Sequence, residues 1–146
     1  MTPTLSGYIA WIRAVMGINI TYLPDASPSI QWTYSVAVEI ASLQMACIST
    51  EIYMLMVYNL AGDYLLNYAQ DQPGQTYFSD LRKAWNLTGF VPGVITSSAD
   101  VSTSESLLNP DFMKNFSMSE LQNLKTPYGR QYLAFAQMLG EAWGIS

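Results

Sequence analysis

Apolar residues recur at helical spacing along most of this chain. Leu5, Tyr8, Ile9, Ile12 and Met16 fall on one stripe, which predicts a first short helix over residues 4–16. Gly17 and the β-prone run Ile18 to Tyr22 end it, and Pro24 closes the connection. Ser27-Pro28 pairs an N-cap residue with a proline at the first helical position, so a second helix is predicted from Pro28 to about Ile48. That helix carries two apolar stripes. Ile30, Tyr34, Ala37, Ala41, Met45 and Ile48 form one; Trp32, Val36, Ile40, Leu43 and Cys47 form the other, roughly opposite at about 100° per residue. A helix apolar on two sides is sandwiched, either within its own monomer or between core and neighbour.

Thr50 and Glu51 open a third predicted helix that runs to about Gln70 and is apolar nearly all round, the pattern of a central buried helix. With only Ser49 as connection, it should lie antiparallel beside the second. Its one polar stripe is Asn59, Asp63 and Asn67, at i, i+4 and i+8. Such a stripe is either a hydrogen-bonding site or the solvent edge of the helix, and the solvent edge is the expectation. After the turn Gln72–Gln75, residues 76–87 read as a short helix with Phe78, Leu81 and Trp85 inward and Asp80, Arg82 and Lys83 outward. Thr126-Pro127 repeats the cap-then-proline signal and starts a last helix over 127–143, with Tyr128, Tyr132, Phe135, Leu139 and Ala142 on its inner face. Gly129 in its first turn leaves room for another backbone to approach.

Between these helical blocks lies an arm, residues 88–109, with eight Ser or Thr and no Lys or Arg. A loop this long inside a small domain is usually functional or disordered. Phe90, Val94, Ile95, Val101 and Leu107 punctuate it, and apolar residues in an extended arm need a surface to bury against. The fold class expected is therefore mainly α: a single domain over 1–146, a bundle of about four helices, and a long extended arm with room for a short β hairpin before the C-terminal helix.

Composition sharpens the picture. Half the residues are hydrophobic but only 12% are charged, against about 25% in a typical soluble protein. Membrane insertion is not expected: a span needs about 20 apolar residues, and Glu39 and Glu51 interrupt the best stretch, Val36 to Gly62. No basic-then-apolar signal opens the sequence, so secretion is not expected either. Burial of surface in an oligomer remains. The net charge of −5 and the single adjacent basic pair, Arg82-Lys83, speak against a tight grip on nucleic acid. With no histidine and one cysteine, the chain lacks the commonest general base and any multi-cysteine metal site. Cys47, between Met45, Ala46 and Ile48, reads as a buried inert thiol. Scattered carboxylates such as Glu39, Glu51 and Asp63 are the only catalytic material, so no enzyme activity, metal or cofactor is expected.

Two stretches carry a resemblance. The helix pair from Ile30 to Tyr68, and the run from GVITSSADVSTSESL through an acidic turn to TPYGRQYL, together resemble the head-tail connector (adaptor) proteins of tailed bacteriophages. The resemblance spans roughly residues 28–143. It implies a small helical ring subunit, about twelve to the ring, that joins the portal protein to a downstream tail or neck protein and lines the conduit through which DNA passes without specific binding. It implies a place in the virion neck after assembly in the host cytoplasm. Val94, Ile95, Val101 and Leu107 become the contacts to the neighbouring subunit, added edge to edge as strands, and Glu141, Trp143 and Ile145 the candidates for docking on the portal. Thr126, Pro127 and Gly129 are structural. A ring would also multiply the charge of −5 into a field that lets DNA slide without sticking. Two alternatives stay open: another neck component, such as a stopper or tail-completion protein, or a helical oligomeric adaptor or regulator with no viral role.

Overall fold

The computed structural model describes residues 2–41, 47, 49–88, 94–99, 104–108 and 123–138, the two strands by their backbone alone. These residues are mainly helical. Helix α1, Leu5–Trp11, is capped by Thr4, whose side chain accepts from the Gly7 N–H at 3.1 Å. It continues as a π-helical turn, Ile12–Met16, and stops at Gly17, whose φ of 68° is the left-handed conformation that glycine adopts without penalty. Arg13 then organises the following loop: its guanidinium donates to the carbonyls of Ile18 at 2.8 Å and Leu23 at 2.6 Å and pairs with Asp25. Ile18 and Leu23 are thereby held in the core.

Helix α2, Pro28–Ile40, starts where the cap-then-proline signal predicts, although the Ser27 side chain makes no capping bond. It ends eight residues before the expected Ile48. Ala41 has extended backbone (ψ 129°) and is buried, so packing sets the stop in a sequence with no Gly or Pro to announce it. The rest of that expectation falls on residues outside those described, except Cys47, which is exposed rather than buried.

Helix α3, Thr50–Tyr68, is capped by Ser49, which accepts from the Ile52 N–H. Met56, Val57, Leu60, Ala61, Leu65 and Leu66 are all buried, as the all-round apolar pattern requires. α1, α2 and the C-terminal helix α5, Pro127–Met138, pack on different sides of it. Trp32 in the first turns of α2 meets Tyr68 at the end of α3 edge-on, 5.9 Å between ring centroids, as in an antiparallel pair. Tyr8 sits where α1, α2 and α3 converge, stacked on Trp11, Tyr34 and Tyr58 at 5.9–6.3 Å. Its hydroxyl is buried against Thr33 Oγ1 at 3.3 Å, and that burial raises its pKa.

Helix α4, Tyr77–Ala84, is tied to the end of α3 by two charged side chains. Asp71 accepts from the N–H groups of Phe78 (2.6 Å) and Ser79 (3.1 Å), supplying the cap that Thr76 does not. Partial burial raises its carboxyl, but these bonds and the Arg82 charge outweigh it and hold the pKa below the usual range. Arg82, expected to point outward, is half-buried and donates to the last carbonyls of α3, Leu66 (2.8 Å) and Ala69. A cation on a helix C-terminus is stabilising because it satisfies orphan carbonyls and opposes the helix dipole. Trp85, expected inward, lies just past the end of α4 and is 40% exposed. Within the arm, β1 (Val94–Ala99) pairs antiparallel with β2 (Ser104–Leu108), with a register irregularity between Ile95 and Ser97.

The contrast between a saturated α3 and a half-covered α2 is testable. Leu60→Ala, at a fully buried site, should cost about 2–5 kcal/mol in urea unfolding. Ile40→Ala, at a position 50% exposed, should cost less than about 1 kcal/mol.

Candidate functional site

The polar stripe of α3 is not a solvent edge. Asn59 is 7% and Asp63 only 1% exposed, and Asn67 is partly buried. The cause is α5, which lays its N-terminus over this stripe. Thr126, fully buried, donates its hydroxyl proton to Asp63 Oδ1 and accepts the Gly129 N–H at 3.0 Å, so one side chain caps α5 and anchors it to α3. Pro127 follows at the first helical position, itself exposed. Asn67 Nδ2 spans the next turn of α3, donating to the Asp63 carbonyl at 2.8 Å.

Gly129 is required here by close approach. A Cβ at this position would stand 2.0 Å from the Asn123 carbonyl oxygen and 2.8 Å from Asp63 Oδ1. The approaching backbone belongs to the same chain, where the segment before Thr126 folds back over the first turn of α5.

Burial drives the Asp63 carboxyl up to about 7, against the opposing pull of the Thr126 hydroxyl, the Lys125 charge and Asn67. Beside it opens a cavity of about 190 Å³ bordered by Tyr64, Asn67, Arg82 and Lys125. Burial, with the neighbouring Asp63 charge, raises the Tyr64 hydroxyl to about 12. A raised carboxyl in a cavity is a candidate acid or base, but an acid–base reaction also needs a second group poised to exchange protons with the substrate. The raised Tyr64 hydroxyl keeps its proton at neutral pH, and Asp63 Oδ1 is occupied by Thr126. The arrangement is chemically a junction that holds α5. Among the described residues no group of three or more His, Cys, Asp or Glu is disposed to hold a metal ion, and no helix is long and apolar enough to cross a membrane.

A second concavity, about 290 Å³, is bordered by Trp85, Lys125, Pro127 and Arg130. The third notable surface is the outer face of α2. Trp32 (52% exposed) and Ile40 (50%) stand out from it, with Tyr68 (51%) beside Trp32. The inner stripe is the buried one: Ile30, Thr33, Ala37 and Ala41. On α5 the deeply buried positions are Gly129 and Leu133, while Tyr128, Tyr132 and Phe135 pack partly buried against the core.

Of the proposed neighbour contacts, Val94, Ile95 and Leu107 fall in the β1–β2 ladder and Val101 outside the described residues. Glu141, Trp143 and Ile145, and the expected end of the last helix over 139–143, also lie outside them. Asp71, Arg82 and Lys125 were not singled out by sequence as site residues. Asp71 had a readable signal, an acidic residue just before a Pro-Gly turn that leads into a helix. Arg82 had none, because its partners are carbonyls of a different helix.

No family model matches the chain, and no similar curated protein or solved structure is found.

Two variants probe the junction. Asp63 binds its proton more tightly folded than unfolded, so its contribution to stability is full below about pH 4 and lost as pH rises through about 7. Asp63→Asn keeps the acceptor for Thr126 and cannot ionise. Wild type should therefore lose stability relative to this variant between pH 5 and pH 8, read as urea midpoints; parallel pH profiles would contradict the buried carboxyl. Gly129→Ala should destabilise by about 1–3 kcal/mol or more, since the clash is with backbone that cannot rotate away.

Proposed function

We propose that this chain is a structural protein of a tailed-phage virion: a head-to-tail adaptor that forms a ring, joins the portal to the tail and surrounds the DNA conduit. The observation that carries the reading is the outer face of α2. Two large apolar side chains half exposed on one helix, continued by Tyr68, form a patch that a free monomer would leave wet. A ring subunit has to bury two lateral faces, and this face, with the arm carrying Val94, Ile95, Val101 and Leu107, supplies them. The order of helices and the TPYGRQYL stretch at the start of α5 support the same reading.

The mainly helical character of the described residues favours an adaptor over a stopper or tail-completion protein, which are richer in β structure. In this reading the far end of the last helix, towards Glu141, Trp143 and Ile145, meets the portal, and DNA passes without being bound. The protein works in the virion neck and is assembled in the host cytoplasm. It acts without a cofactor and catalyses no reaction.

Electron microscopy of the purified protein, alone and with a portal ring, tests this. The expected particles are rings of about twelve subunits, each of 16.3 kDa. Trp32→Arg with Ile40→Arg should keep the helical circular dichroism and abolish the rings. A monomer or dimer that persists at high concentration and beside the portal would instead favour a helical adaptor outside any virion.

A further inference from the structure

The chain holds only six basic residues against eleven acidic ones, yet they are not spread evenly. Arg13 is committed to Asp25 and to loop carbonyls, and Lys114 lies outside the described residues. The remaining four gather at one corner, where the end of α4 meets the start of α5. Arg82 and Lys125 border the cavity beside Asp63, Lys125 and Arg130 border the concavity that Trp85 also lines, and Lys83 is exposed next to Arg82. Arg82 already serves the carbonyls of α3. Lys125 and Arg130 enter no ion pair among the described residues. Two cations beside an exposed indole, in a protein with net charge −5, form a local positive site in a negative field.

The occupant is suggested by charge. Between Lys83 and Lys114 the sequence has no basic residue, and the β1–β2 segment within that stretch carries Glu105, opposite Ser98 in the ladder. We propose that the corner formed by Trp85, Lys125 and Arg130 receives the β1–β2 segment of a neighbouring copy, with the Glu105 carboxylate against the two cations. This rests on the ring reading and specifies which surface the arm engages. A polynucleotide is the less favoured occupant. Two cations release few counterions, and the acidic remainder of the protein would repel any backbone that runs out of the groove.

The direct test uses a capped synthetic peptide of residues 94–108, titrated into the wild-type protein while Trp85 fluorescence is followed against a Trp85→Phe control. Saturable binding is expected, weakening with salt. Arg130→Glu, at an exposed position, should weaken it at least tenfold. A peptide with Glu105→Arg should likewise fail on wild type yet recover on the Arg130→Glu protein. Lys125→Gln provides a second, milder variant, because reversing a charge so near Asp63 would disturb the junction itself. Absence of saturable binding to protein kept dilute enough to be monomeric, where no neighbouring arm competes, or binding indifferent to both substitutions, overturns the proposal. So does tighter binding of an oligothymidylate of similar length, which would assign the groove to nucleic acid.

The ring reading fails separately. Wild-type protein that stays monomeric while binding the peptide loses the ring and keeps the groove. Rings that form normally in the Arg130→Glu protein, with no peptide binding, keep the ring and lose the groove. Should wild type form rings, carbodiimide cross-linking of mixed isotope-labelled copies should join Lys125 to Glu105 between chains. Cross-links confined within one chain would place the arm on its own subunit and contradict the proposal.

Discussion

A nineteen-residue helix that is apolar nearly all round has to be covered on every side, and α3 imposes that constraint on the rest of the chain. α1 and α2 cover it where Tyr8 stacks on Tyr34 and Tyr58. α4 closes its C-terminal end through Asp71 and Arg82, and α5 covers the remaining stripe. That stripe is polar, and Thr126, Lys125 and Asn67 together offset part of the cost of burying Asp63. The Thr126 hydroxyl also caps α5, so the helix that hides the carboxyl is started by a residue that hydrogen-bonds it. Gly129 is the geometric condition for this, since any side chain there would push the two elements apart.

Covering α3 leaves α2 with a second face. A helix can wrap a central partner with one stripe only. The outer stripe of α2 leaves Trp32 and Ile40 about half exposed, with Tyr68 edge-on to Trp32. In a chain with so few charges, that is the natural place for another copy to pack. The proposed division of labour follows from it: α3 and the Asp63 junction make the subunit, while α2, the arm and the basic corner make the assembly. The raised Asp63 carboxyl lies at the junction between α3 and α5, in the first of these tasks.

Much of this was legible in the sequence, and the failures share one cause. The all-round apolar pattern located α3, and Ser27-Pro28 and Thr126-Pro127 located two helix starts, because these signals are local. Asn59, Asp63 and Asn67 were visible as a stripe, but their spacing could not say that α5 would lie over them. Trp85 and Arg82 exchanged their expected sides for the same reason. Arg82 is drawn in by carbonyls sixteen and thirteen residues earlier in the chain, and Trp85 sits past a helix end that periodicity places poorly. The early stop of α2 at Ala41 carries no local signal at all.

The claim that the outer face of α2 is the assembly surface can be read from one side chain. Fluorine-labelled tryptophan at Trp32, assigned by loss of its signal in Trp32→Phe, reports its surroundings by ¹⁹F NMR as protein concentration is raised. The account predicts a solvent-exposed signal in dilute protein that shifts and broadens as Trp32 is covered, in step with a rise in molecular mass. A Trp32 signal that stays exposed while the mass rises would place the interface elsewhere and contradict the account.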